Sequence, residues 1–113
     1  MKIENETSRV SAILLGEQEI KRAILKNPKI IEIGYQKVIQ VTKNVEELTR
    51  KRNLSRLELE DVAIELKEGV TNHLPTIQQA LENLASENYN PSIVAYALSS
   101  CCATLNYLQT KYK

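Results

Sequence analysis

The sequence predicts an all-α fold, an antiparallel bundle of four or five helices joined by short loops. The composition favours helices, because the 113 residues include only three Gly, no Phe and no Trp but many Ile, Leu, Glu and Lys. Apolar residues recur every three or four positions, and no stretch alternates with the period of two that a strand would show. The length fits one domain spanning residues 1–113.

The first helix is expected over about residues 6–26. Its apolar stripe runs through Val10, Ile13, Ile20 and Ile24, but Glu17 falls in the same line. An ionised side chain on the inner face of a helix opposes burial. We therefore expect this helix to fray or to pack at one end only.

Two Asn-Pro pairs predict the starts of the second and the last helix. In Asn27-Pro28 and Asn90-Pro91, Asn is suited to cap the helix, and Pro is suited to the first helical position, where its missing N–H costs nothing. Apolar residues then recur at helical spacing as far as Leu48 in one case and Tyr112 in the other. Both helices are expected to be long.

A third helix is expected to begin at Arg56. Ser55 and Glu58 have the spacing of a capping box, in which each side chain satisfies a backbone N–H that the start of a helix leaves unpaired. The apolar spacing continues through Leu66 and Val70.

The segment from Gly69 to Pro75 interrupts this pattern. Gly69 is suited to end the third helix, and Thr71 or Asn72 could cap a fourth, which would have Pro75 in its first turn. A single helix kinked at Pro75 is the alternative. The sequence leaves both open.

The charge balance gives no global reason to expect nucleic acid as a partner. There are 15 Lys and Arg against 14 Asp and Glu. A local basic region could still contact phosphates, and its candidate contacts are Lys43, Arg50, Lys51, Arg52 and Arg56. Against this alternative, no Lys or Arg occurs between Glu68 and Thr110, where the reading helix of a helix-turn-helix would fall. Nucleic-acid binding is therefore the alternative, not the main prediction.

No catalytic, metal or cofactor site is predicted. The adjacent Cys101 and Cys102 are too close for an ordinary disulfide, and a zinc site would need further ligands although the chain has one histidine, His73. Both cysteines are expected to be small buried side chains. The glycines are isolated, so no phosphate-binding loop is expected. We therefore predict a protein that is not an enzyme and carries no cofactor.

A cytoplasmic location is expected. The first ten residues are polar and of mixed charge, unlike the apolar core of a signal peptide. The sequence also lacks the run of about 18 apolar residues that a membrane span requires.

The last helix carries the main functional prediction. Between Glu87 and Lys111 every polar residue is uncharged, and three tyrosines are interspersed. Depleted charge and abundant tyrosine are typical of interface cores. A central helix surrounded by its own siblings would have the same composition, so two interpretations remain. If this composition reflects an interface, the last helix binds protein through a face formed by Ser92, Tyr96, Ser99, Ala103 and Tyr107.

The predicted function is thus non-enzymatic protein–protein interaction through the C-terminal helix. The partner is a second copy, giving a homodimer, or a different protein. An adaptor, a chaperone, a small assembly subunit and an immunity or inhibitor protein all fit this description.

Overall fold

The structure is a computed structural model that describes the backbone of residues 5–113 and the side chains of residues 16–113. Five α-helices and one short 3-10 turn make up the described chain, and residues 5–113 contain no strand. The helices are α1 (Asn5–Lys26), α2 (Lys29–Lys51), α3 (Arg56–Gly69), α4 (Leu74–Glu82) and α5 (Pro91–Tyr112). The predicted all-α bundle is confirmed.

The helices form a four-membered up-down-up-down bundle, in which α3 and α4 run in the same direction along α5 and together make up one member. Gly69 at the end of α3 lies beside Thr104, and Asn83 just after α4 lies in one groove with Ile93, farther toward the start of α5. The 3-10 turn Thr71–His73 separates the two helices. The third member of the bundle is therefore a broken helix.

At three helix starts, the side chain that the sequence predicts as the cap accepts a backbone hydrogen bond. Ser55 Oγ accepts from the backbone N–H of Glu58 at 3.2 Å, and Glu58 Oε1 accepts from the backbone N–H of Ser55 at 3.0 Å. Asn90 Oδ1 accepts from the N–H of Ser92 at 2.9 Å. Asn27 Oδ1 accepts from the N–H of Lys29 at 3.2 Å, which places the start of α2 within one residue of the prediction.

The break between α3 and α4 differs from the prediction in the groups that cap the two helices. Neither Thr71 nor Asn72 caps α4, whose capping residue His73 makes no side-chain capping hydrogen bond. Gly69 does end α3, but its φ is not positive, so it does not act as a left-handed cap. Its carbonyl instead accepts from the hydroxyl of Ser100 at 3.1 Å, so α5 satisfies one of the carbonyls that the end of α3 leaves unpaired.

The segment after α4 ends in a tight reversal at Glu87. Asn88 N–H donates to Asn83 O at 3.3 Å and Glu87 N–H donates to Leu84 O at 3.2 Å, the two bonds of a Schellman motif. Glu87 has φ 56°, at the position where this motif prefers glycine. The structure therefore holds a strained non-glycine residue in this loop.

The core follows the predicted apolar stripes. Ile24, Ile31, Val45, Ile77 and Leu108 are among its fully buried side chains. In α1, Ile24 is buried and Ile20 partly buried, whereas Val10 and Ile13 lie outside the side chains described. Within residues 5–113, no helix has both the length and the apolar composition needed to cross a bilayer.

Candidate functional site

Helix α5 is the centre of the bundle. It contacts α1, α2, α3 and α4, and nine of its residues are buried. A helix with neighbours on most sides has little room for charged side chains, because burying an unpaired charge costs several kcal/mol or more. The central-helix interpretation thus accounts for much of the uncharged composition of α5.

The predicted binding face of α5 is divided between buried and accessible residues. Ser99 is only 5% exposed and lies against Gly16 of α1, so it does not belong to an accessible surface. Ser92, Ala103 and Tyr107 are half-buried, and Tyr96 is 53% exposed. Helical spacing placed these residues on one side of α5, but α1 covers part of that side.

Tyr107 has a local partner within α5. The ammonium of Lys111 lies 3.4 Å from its hydroxyl and 5.6 Å from the centre of its ring. The hydrogen bond to Tyr107 raises the pKa of Lys111. The C-terminal end of the predicted face is therefore partly covered by a cation.

The N-terminal end of the face extends beyond the predicted residues. Ile93 is 55% exposed, one helical turn before Tyr96. The ring of His73, from the turn before α4, meets the ring of Tyr96 edge-on with centroids 5.7 Å apart. The i,i+3 spacing of Ile93 and Tyr96 was visible in the sequence, but the contact between His73 and Tyr96 depends on how the broken helix packs.

Ile93 lines a groove between α4 and α5. Its volume is about 310 Å³, and none of its lining residues is charged. The lining combines amide side chains with one aromatic and several aliphatic residues: Thr76, Gln79, Ala80, Asn83, Asn88, Tyr89, Asn90, Ile93 and Val94. We call this groove, together with His73 and Tyr96, the α4–α5 surface.

The two cysteines have different environments. Cys101 is fully buried with its sulfur 3.9 Å from Val70 O, and burial raises the pKa of its thiol to about 12. Cys102 is exposed, contrary to the prediction that both are buried. Desolvation of its sulfur raises the pKa of Cys102, and the nearby ammonium of Lys37 lowers it. Neither thiol is activated, because the pKa of each is raised on balance.

The predicted basic region is exposed, and three of its five cations have partners within the chain. Arg52 Nε donates to Tyr112 O at 2.7 Å, at the end of α5. Lys51 pairs with Glu47 and Arg56 with Glu60, each across one helical turn at 3.8 Å. The remaining two, Lys43 and Arg50, are exposed on α2.

The comparisons with known proteins add no assignment. Models of protein families, curated proteins and solved structures give no match to this chain. In the part of the chain with described side chains, no three His, Cys, Asp or Glu residues are grouped closely enough to hold a metal ion. The α4–α5 surface is therefore the candidate site on its geometry alone.

Proposed function

We propose that this protein is a non-enzymatic protein-binding module that docks another protein on the α4–α5 surface. The observation that carries the proposal is the exposure of Ile93 (55%) and Tyr96 (53%) beside an uncharged groove. Large apolar side chains that remain accessible next to a groove offer area that a partner can bury.

The chemistry of the surface supports a protein as the occupant. Tyrosine supplies large contact area at low entropic cost, and the centre of a protein interface is depleted in charge. The amides of Gln79, Asn83 and Asn88 offer donors and acceptors suited to the backbone and polar side chains of a partner. Adaptors, chaperones, small assembly subunits and immunity or inhibitor proteins would all use such a surface.

The proposal is tested by placing charge on the surface and measuring binding. Tyr96→Arg and Ile93→Glu each put a charge where a partner would exclude water, and each is expected to lower partner affinity at least tenfold, or about 1.4 kcal/mol. The matched control is Asn106→Arg, an exposed position on the flank of the same helix that faces α2. Circular dichroism verifies that all three variants are folded.

The readout is capture from an extract of the source cell by each immobilised variant, followed by titration of the captured protein. We expect wild type and Asn106→Arg to retain the same protein and the two surface variants to lose it. Equal retention by all four proteins would refute the α4–α5 surface as the binding site.

A further inference from the structure

Helix α3 is held by fewer buried side chains than α2 or α5. Of its five large apolar residues, only Val62 is buried, and Leu66 is partly buried. The other three, Leu57, Leu59 and Ile64, are 73%, 46% and 53% exposed. Helix α5, by contrast, buries nine residues. The apolar area that α3 removes from water is therefore small for a helix of 14 residues.

The packing of α3 against the bundle is also narrow. Among the described elements, its extensive contacts are with α5 and with the 3-10 turn Thr71–His73. A groove of about 390 Å³ lies between α3 and α2 and is lined in part by Leu59. On the other side, a cavity of about 140 Å³ lies between α3 and α5, beside Ile64. Val62 borders both spaces, so α3 rests on α5 along a single strip.

A helix of this length depends on its neighbours for stability. Isolated helices shorter than about 12–15 residues are marginal in water, because packing rather than propensity supplies most of the stability of a protein helix. The capping box of Ser55 and Glu58 and the ion pair of Arg56 with Glu60 act within this segment and do not attach it to the bundle. A helix with so few buried side chains belongs to the low-stability end of the range of local unfolding free energies.

The chain on either side of these turns has its own attachment to α5. Before α3, Arg52 Nε donates to Tyr112 O at 2.7 Å. At the end of α3, the Ser100 hydroxyl donates to Gly69 O at 3.1 Å, and Val70 is 1% exposed. The turns between these two attachments can therefore leave α5 while both flanks keep their contacts.

We propose that residues 56–66 form a lid that opens by local unfolding while α2 and α5 stay folded. This segment is called the α3 lid. Opening uncovers the side of α5 that carries Leu108 and Tyr112, which are 1% and 7% exposed and line the same cavity as Val62 and Ile64. The lid is thus a conformational device that makes a buried apolar strip of α5 accessible in a minor state of the protein.

A matched pair of cysteine variants tests the opening. Val62→Cys places a thiol under the lid, and Val38→Cys makes the same substitution in α2, where Val38 is 2% exposed against 5% for Val62. Both are made in a Cys102→Ser background, because Cys102 is exposed, and mass spectrometry of the labelled peptides separates these thiols from the buried Cys101. Without denaturant, we expect the thiol at position 62 to react about a hundredfold faster than the thiol at position 38. Equal rates would overturn the proposal, because both positions would then open only in global unfolding.

Urea separates lid opening from smaller fluctuations. The labelling rate of Val62→Cys is expected to rise with urea concentration, because opening exposes surface to solvent. Its slope should be smaller than the slope of global unfolding, which circular dichroism measures on the same variant. A rate that does not change with urea would show that the thiol reacts without unfolding of α3, and a slope equal to that of global unfolding would show that α3 does not open separately. Either result would overturn the proposal.

Hydrogen exchange of the wild-type protein provides a second measurement that does not depend on any substitution. The backbone N–H of Leu59 donates to Ser55 O at 2.9 Å, so amides from this residue onward are protected while α3 is closed. Amides of residues 59–66 are expected to have protection factors about a hundredfold lower than those of residues 97–108 in α5. Equal protection of the two helices would overturn the proposal.

This inference is separate from the proposed function, because Ile93 and Tyr96 lie outside the α3 lid and neither test requires a partner. Tyr96→Arg, which should lower partner affinity, is expected to leave the labelling rate of Val62→Cys unchanged. The labelling and exchange measurements therefore decide the lid alone, and the capture experiment decides the α4–α5 surface alone.

Discussion

Gly69→Ala would place a methyl group where α3 meets α5. A Cβ built on Gly69 overlaps Oγ1 of Thr104 most closely and also lies 2.7 Å from both Cβ and Cγ2 of that residue, whereas carbon atoms in contact prefer about 3.5–4.0 Å. The two helices must therefore separate by roughly 1 Å at this point. The movement also stretches the bond from Ser100 Oγ to Gly69 O, now 3.1 Å.

The expected cost follows from two opposing effects. Overpacking of this kind destabilises a protein by about 1–3 kcal/mol. Replacing glycine with alanine in a helix returns about 0.5–1 kcal/mol through lower backbone entropy and better propensity. We therefore expect Gly69→Ala to lower the free energy of unfolding by about 1–2 kcal/mol, because the steric overlap outweighs the gain in helix propensity.

The chain contains two matched controls. At Gly16 the added Cβ would lie 3.8 Å from Ser99 Oγ, an ordinary contact, so Gly16→Ala should stabilise by about 0.5–1 kcal/mol. At Gly34 it would lie 3.2 Å from a methyl group of the buried Leu98, and we expect a net effect near zero because crowding and helix propensity offset each other.

Urea and thermal unfolding, both followed by circular dichroism, measure this series of variants. Melting temperatures of Gly16→Ala and Gly69→Ala should differ by about 8–15 °C, given the usual scaling for a domain of this size. Thr104→Ala in the Gly69→Ala background should recover part of the loss, because it removes Oγ1, the nearest atom, and Cγ2 but leaves Cβ. If Gly69→Ala is as stable as Gly16→Ala, the close approach of α3 to α5 is not what requires glycine at position 69.

Two further predictions concern the loop after α4 and the cysteines. Glu87→Gly should raise the free energy of unfolding by about 0.5–1 kcal/mol, because the strain of a positive φ outweighs the entropic cost of glycine. Asn53 has the same φ of 56°, but Asn tolerates this conformation, so Asn53→Gly should stabilise the protein less. Thermal melts of both variants check this order. At pH 8, Cys102 should react with a thiol reagent in the folded protein and Cys101 only after unfolding, because Cys101 is buried and its pKa is about 12. Mass spectrometry of the labelled peptides reads this out, and equal labelling of both thiols without denaturant would contradict the burial of Cys101.

The features of the fold that the sequence predicted are local ones. Ser55 and Glu58 satisfy each other's backbone groups within a single turn, and Asn90 caps the residues directly after it. Such interactions depend on spacing along the chain and require no knowledge of neighbouring helices. The starts of α2, α3 and α5 are therefore predictable from the sequence alone.

The break between α3 and α4 was not predictable in the same way. Glycine at position 69 predicted the end of α3, and the structure also uses it for close approach to Thr104 and for a carbonyl that Ser100 can reach. Both partners lie on a helix that is distant along the chain. A sequence pattern shows that glycine is present, whereas the reason for glycine there depends on tertiary packing.

The candidate site shows the same limit within a single helix. Tyr96 and Ser99 are three residues apart, and spacing alone gives them one face. Helix α1 covers Ser99 through Gly16, whereas Tyr96 remains accessible beside His73. An uncharged stretch of sequence therefore indicates only that its surroundings disfavour water or charge. Which of its residues are available to a partner depends on where the neighbouring helix passes. For this reason, the accessible Ile93 and Tyr96, and not the full uncharged length of α5, are the residues on which binding should be tested.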